Sequence, residues 1–128
     1  MKRIALLWSL AFGAMDALTG LLLVISPALV IRLLAIPEPG PLEFLSWVGV
    51  FVGSVGLSYG LVLRGTAAAE TVWSFTALVR FAVAGFLTVK ILRGTMPVQW
   101  LSVAATDAIV AVVQCLGLRK GWWRDPAD

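Results

Sequence analysis

Four apolar runs, each close to the length that crosses a lipid bilayer, take up most of this 128-residue chain. A spanning helix needs about 20 predominantly apolar residues. The runs extend from about 4 to 25, 42 to 63, 70 to 92 and 97 to 118. Short connections make consecutive helices antiparallel neighbours. The expected fold is therefore all-α: one transmembrane domain over 1–128, an antiparallel four-helix bundle with little outside the bilayer.

Composition explains why lipid has to be part of the solvent. Hydrophobic residues make up 60% of the chain and charged residues 13%, against about 45–50% and about 25% in an average soluble domain. The mean hydropathy is +0.96. A water-soluble chain this short has too little interior to hide that much apolar surface. The net charge is +3, but the basic residues sit at the ends of the apolar runs. That placement reads as membrane orientation rather than nucleic-acid binding. The lipid bilayer is the expected partner, and nucleic acid is not.

The chain has no histidine and one cysteine, Cys115. It lacks the commonest metal ligand and general base, so no metal site and no cofactor are expected. Cys115, inside an apolar run, is expected to be a small buried hydrophobe. No Gly-rich phosphate loop, paired-cysteine motif or nucleophile elbow is present, and no catalytic residue is assigned. Met1-Lys2-Arg3 and the apolar stretch after it resemble a signal peptide. The stretch continues to about Ile25, beyond the roughly 7–15 apolar residues of such a segment, so it is read as the first membrane helix.

The first connection has structure of its own. Ser26-Pro27 suits an N-cap and first turn, and 28–36 reads as a short interfacial helix with Arg32 reaching for headgroups. The alternative is a first helix that continues, kinked at Pro27. Prolines 37, 39 and 41 then impose an extended turn. Gly65 stops the second helix, and Glu43 opens it, where a carboxylate suits the helix dipole. Leu-Arg-Gly-Thr occurs at both 63–66 and 92–95, a hint of duplication that the preceding helices do not extend.

Lysine and arginine counts set the orientation. With the N-terminus inside, Lys2, Arg3, Arg64, Arg119, Lys120 and Arg124 lie inside, and Arg32, Lys90 and Arg93 outside, six against three. Both termini are expected in the cytoplasm, in a bacterial inner membrane. Trp8, Trp47, Trp73, Trp100, Trp122 and Trp123 fall near run ends, as an aromatic belt at headgroup level requires. Tyr59 is expected to hydrogen-bond at the same interface.

Two features carry more specific physics. Ser46, Gly49, Gly53, Gly56 and Gly60 form a small-residue stripe on the second helix. In lipid, close backbone approach supplies association energy, so the stripe reads as a helix-packing seam or, alternatively, as a groove for a flat ligand or lipid tail. Gly13, Ala17 and Gly20 offer a similar face on the first helix. The other feature is charge at mid-membrane: Asp16, Arg80 and Asp107. Each such residue costs about 2.5–3.5 kcal/mol on an insertion scale, against roughly 3–6 kcal/mol from the apolar residues of the third helix. Arg80 therefore needs partners inside the bundle, and Asp16 and Asp107 have compatible depth. Thr19, Thr76 and Gln114 share their faces and complete the hydrogen bonding. Two acids and one base predict that one carboxyl is protonated or touches water. This polar network is either structural, fixing helix register, or a proton or ligand site.

The layout resembles the DoxX-like group of small bacterial four-helix membrane proteins. The resembling stretches are the first helix with Pro27, Trp47-Val48-Gly49-Val50-Phe51-Val52-Gly53 running on to Gly56-Leu57, and Ala77-Leu78-Val79-Arg80. The resemblance covers most of the chain and implies the four-helix fold. It also points to membrane redox partners such as quinone-linked enzymes. Small multidrug-resistance transporters likewise have four short helices and an acid in helix one, matched by Asp16, but Arg80 and Asp107 depart from them. The expected function is that of a non-enzymatic accessory or interaction subunit with a membrane-protein partner or a second copy. The alternatives are a binding protein for a lipid, quinone or other apolar small molecule in an intrabundle cavity, and a proton-coupled transporter acting as a dimer.

Overall fold

The computed structural model describes residues 1–37 and 40–125. Its elements are α1 (Lys2–Ile25), α2 (Pro27–Leu33), α3 (Leu42–Ser58), a 3-10 helix (Tyr59–Arg64), α4 (Thr66–Leu92), a 3-10 turn (Val98–Trp100) and α5 (Leu101–Arg119). Four segments are long and apolar enough to cross a membrane: Lys2–Ile25, Leu42–Arg64, Thr66–Leu92 and Val98–Arg119. Only 22–28% of the most apolar window of each is buried within the protein, so most of their apolar surface faces outward.

One expected boundary is found, and two others differ in informative ways. The first break is real: Ser26 leaves helical geometry at φ −147° and ψ 75°, and Pro27 takes the first turn of α2. Ser26 has the expected position but makes no side-chain capping bond. α2 stops at Leu33 rather than 36. Ala35 adopts φ +53°, its N–H donates to Arg32 O, and the Ile36 N–H donates to Ile31 O at 3.0 Å. This is a Schellman closure with alanine in the place usually taken by glycine. Ile31 and Ile36, the positions where such a closure usually has an apolar pair, are both buried at 7% exposure. The expected extended turn falls partly on Glu38 and Pro39, which lie outside the described residues. Finally, α4 begins at Thr66, a turn before residue 70, directly after Gly65 at φ +122°.

The two Leu-Arg-Gly-Thr repeats do not share a geometry. Gly65 is extended at ψ 177° and precedes a helix. Gly94, at φ +69°, ends one: Gly94 N–H donates to Ile91 O and Thr95 N–H to Lys90 O.

The chain gathers into two compact units, Leu7–Gly60 and Met1–Leu6 with Leu61–Asp128. In the first, α1 and α3 run antiparallel with almost no side chain between them. A methyl group built on Gly20 would meet the Gly53 backbone and lie 2.6 Å from Gly49 O; one on Gly49 would lie 2.8 Å from Gly20 O. One on Gly56 would lie 2.7 Å from Gly13 O and 2.8 Å from Ala17 Cα. In the second unit α4 and α5 form an antiparallel hairpin, with Trp73 opposite Gly117, Thr76 opposite Gln114 and Arg80 opposite Asp107.

Candidate functional site

The α4–α5 hairpin carries a ladder of polar and aromatic groups along its buried face. The residues that build it are spaced by three and four on α4 (Val72, Trp73, Thr76, Ala77, Arg80, Ala84 and Leu87 are buried), the spacing that places side chains on one helical face. At mid-helix, Arg80 Nη1 donates to Asp107 Oδ1. Arg80 is 4% exposed and Asp107 16%. One turn towards the other end, Gln114 Nε2 donates to Thr76 Oγ1 at 2.9 Å, and Thr76 Oγ1 donates to Val72 O at 2.7 Å. Both residues are fully buried. Of the sequence-predicted polar set, the structure thus joins Arg80 with Asp107 and Thr76 with Gln114. Asp16, buried, and Thr19, half-buried, stand on α1 in the other unit.

Below Thr76 the ladder becomes aromatic. Trp73 is fully buried and meets Trp123 edge-on at 5.2 Å and Trp122 at 6.3 Å. Trp73 and Trp123 are packed within the protein, 0% and 3% exposed. The earlier start of α4 puts Trp73 in its second turn. The tail folds back through Gly121 at φ +66°, where Trp122 N–H donates to Gly117 O. Gly117 has no room for a side chain: an added methyl would lie 2.5 Å from the Trp73 ring and 2.8 Å from the Trp122 ring. Thr66 Oγ1 donates to Trp123 O, Arg124 Nε pairs with Glu70 Oε1 at 2.9 Å, and Lys2 Nζ pairs with Asp125 Oδ2 at 3.1 Å. The hydrogen bond to Glu70 and its negative charge hold the Arg124 guanidinium above its ordinary pKa. Sequence reasoning missed this clasp. Its one local signal was Lys-Gly-Trp-Trp at 120–123, a helix stop followed by bulky rings.

Tyr59 is 1% exposed and packs against Gly13 of α1, so it is a core residue. Two expectations are corrected. Cys115 is exposed, because the buried face of α5 runs through Val110, Ala111, Gln114 and Gly117. In the small-residue stripe, Gly49 and Gly56 form the tight contact and Gly53 receives Gly20. Gly60 has nothing within 4 Å of an added methyl, because it lies in the 3-10 segment, and Ser46 is half-buried. The aromatic side chain that is most open is Phe44 at 68%, with Trp47 at 65%.

Two open hollows flank the hairpin. One lies along α4 beside Glu70, Thr71, Ser74 and Phe75, and the other is a groove between α4 and α5 of about 430 Å³. Neither is lined by Arg80 or Asp107. No group of three or more His, Cys, Asp or Glu able to hold a metal occurs among the described residues. No protein-family model matches the chain, and no curated protein or solved structure is significantly similar to it.

Proposed function

We propose that this is an integral protein of a bacterial inner membrane and that it acts as a non-enzymatic accessory or interaction subunit. On this reading the four long helices span the bilayer as an antiparallel bundle with both termini cytoplasmic, and α2 lies at the interface. The observation that carries the reading is an inverted distribution of polarity. Ser9, Thr76 and Gln114 are 0% exposed and Arg80 4%, while Phe44, Leu57, Leu63 and Leu78 are 66–75% exposed. In water this arrangement would strand apolar surface and hide charge. In hydrocarbon both costs change sign, since lipid accepts the leucines and the buried charges need each other.

The non-enzymatic part rests on engagement. Arg80 is bonded to Asp107 and Gln114 to Thr76, so the deep polar groups serve one another, as register-setting groups do. The resemblance to DoxX-like proteins agrees with a role beside membrane redox enzymes.

The test has two stages. Membranes are first extracted with alkaline carbonate, and Cys115 is labelled with a lipid-soluble and then a membrane-impermeant maleimide. Retention in the pellet, with labelling by the lipid-soluble reagent alone, is expected. Release into the supernatant refutes the membrane reading. The chain is then purified in mild detergent, wild type beside Arg80→Met/Asp107→Leu, and its companions are identified by mass spectrometry. A stoichiometric membrane-protein companion kept by both forms is expected. A bound quinone lost from the double variant would instead establish the ligand-site alternative.

A further inference from the structure

The groove between α4 and α5 has a length, a lining and a charged mouth that suit one particular occupant. Its buried floor is made of Ala84 and Ala104, with Gly85 and Ala105 exposed on its walls, Phe81 and Ala108 at its inner end and Val89 and Leu101 at its outer end. From residue 81 to residue 89 a helix rises about 12 Å, close to the ~15 Å half-thickness of a bilayer's hydrocarbon core. Gly85 leaves open space along the α4 wall of this shallow groove. A methyl there would meet nothing within 4 Å, and glycine in a helix interior costs about 0.5–1 kcal/mol relative to alanine, so packing inside this chain does not account for it.

Charge distinguishes the outer end. Between Arg80 and Asp107 the sequence has no acidic residue, but it has Lys90 and Arg93. Arg93 is exposed just past the end of α4. Lys90 stands about half a turn round from the groove, its ammonium 5.6 Å from the Phe86 ring centroid. α5 approaches the same end with its N-terminus, which opens at Leu101 after Trp100 with no side-chain cap and no acidic residue in its first turn. A helix N-terminus carries partial positive charge.

We propose that this groove binds an anionic phospholipid, with an acyl chain lying along Gly85 and the phosphate at the Arg93 end. The proposal rests on the membrane reading above. The groove spans one leaflet, its walls are apolar, and its mouth offers positive charge that no carboxylate of the hairpin neutralises. An anionic lipid matches all three features, whereas a zwitterionic lipid or a second apolar helix leaves the charged mouth unmatched.

The experiment starts with liposome flotation, so that failure of the membrane reading is seen by itself: a chain that stays with the aqueous fraction ends both claims. Delipidated protein in mild detergent is then titrated with palmitoyl-oleoyl phosphatidylglycerol and, separately, phosphatidylcholine of the same chains, and bound lipid is counted by native mass spectrometry. Phosphatidylglycerol is expected to bind at least about fivefold more tightly, the worth of roughly one basic residue near a charged headgroup. Arg93→Gln should remove most of that preference, and Lys90→Gln less. Gly85→Leu, which fills open space, should abolish binding of both lipids while far-UV circular dichroism stays unchanged. Ala105→Leu fills the same groove from its α5 wall and serves if the first variant misfolds. Equal binding of the two lipids would overturn the proposal. So would binding that both groove-filling variants leave intact, or a dimer in wild type that those variants dissolve, which would make the groove a self-association face.

Discussion

Cutting the Arg80–Asp107 pair from either side should not have equal consequences. Arg80 is 4% exposed and Asp107 16%, so this is a buried pair linking the midpoints of α4 and α5. Removing one partner of such a pair costs about 3–5 kcal/mol, because the other charge is left uncompensated, whereas replacing both with apolar groups of similar volume is often neutral or stabilising by about 1–4 kcal/mol. Asp107→Leu leaves a guanidinium, which is charged at any accessible pH. It should therefore be the costlier of the two single cuts. Arg80→Met leaves a carboxyl, which has a neutral form open to it and is the more exposed of the two. It should cost roughly 1–3 kcal/mol. Arg80→Met/Asp107→Leu should lie within about 1 kcal/mol of wild type or above it. Reversible unfolding in lipid–detergent bicelles, followed by tryptophan fluorescence, measures all four forms. The expected coupling is at least about 3 kcal/mol. If the double variant is as unstable as the sum of the singles, the pair is not a self-contained structural unit and the argument fails.

Other expectations follow from particular contacts. Gly20→Ala and Gly56→Ala press a methyl into the backbone of the facing helix and should each cost about 1–3 kcal/mol. Gly60→Ala, with open space around it, should be neutral or slightly stabilising in the same unfolding assay, and equal losses at Gly60 and Gly56 would contradict the seam described here. Trp73→Ala removes a fully buried ring and should cost about 3–5 kcal/mol. Deleting residues 122–128 should lower the melting temperature as well, because Trp122 and Trp123 complete that cluster; an unchanged melt would show the clasp to be idle. Thr76→Val alone takes the hydroxyl from Gln114 and should cost about 1–3 kcal/mol, with Thr76→Val/Gln114→Leu recovering most of it. By contrast, Lys2→Ala should change stability by less than about 1 kcal/mol, since its pair with Asp125 is exposed.

What the chain's linear order settled by itself was the length and polarity of its parts. Four runs near 20 residues, the second closed by Gly65, determine four apolar helices, because a helix's reach and its stops depend on local residues alone. The break at Ser26-Pro27 was legible for the same reason. So was the need of Arg80 for an acid, since the cost of a lone charge depends on depth and not on partners. Tertiary structure decided what touches what. It brought Asp107 to Arg80 and Thr76 to Gln114. It separated Gly56, which meets Ala17, from Gly60, which meets nothing. It also buried Trp73 and Trp123 against each other. Those choices follow from the rotation of each helix about its axis and from the return of the tail over Gly117. Helical periodicity allows several such arrangements, and only mutual packing selects one.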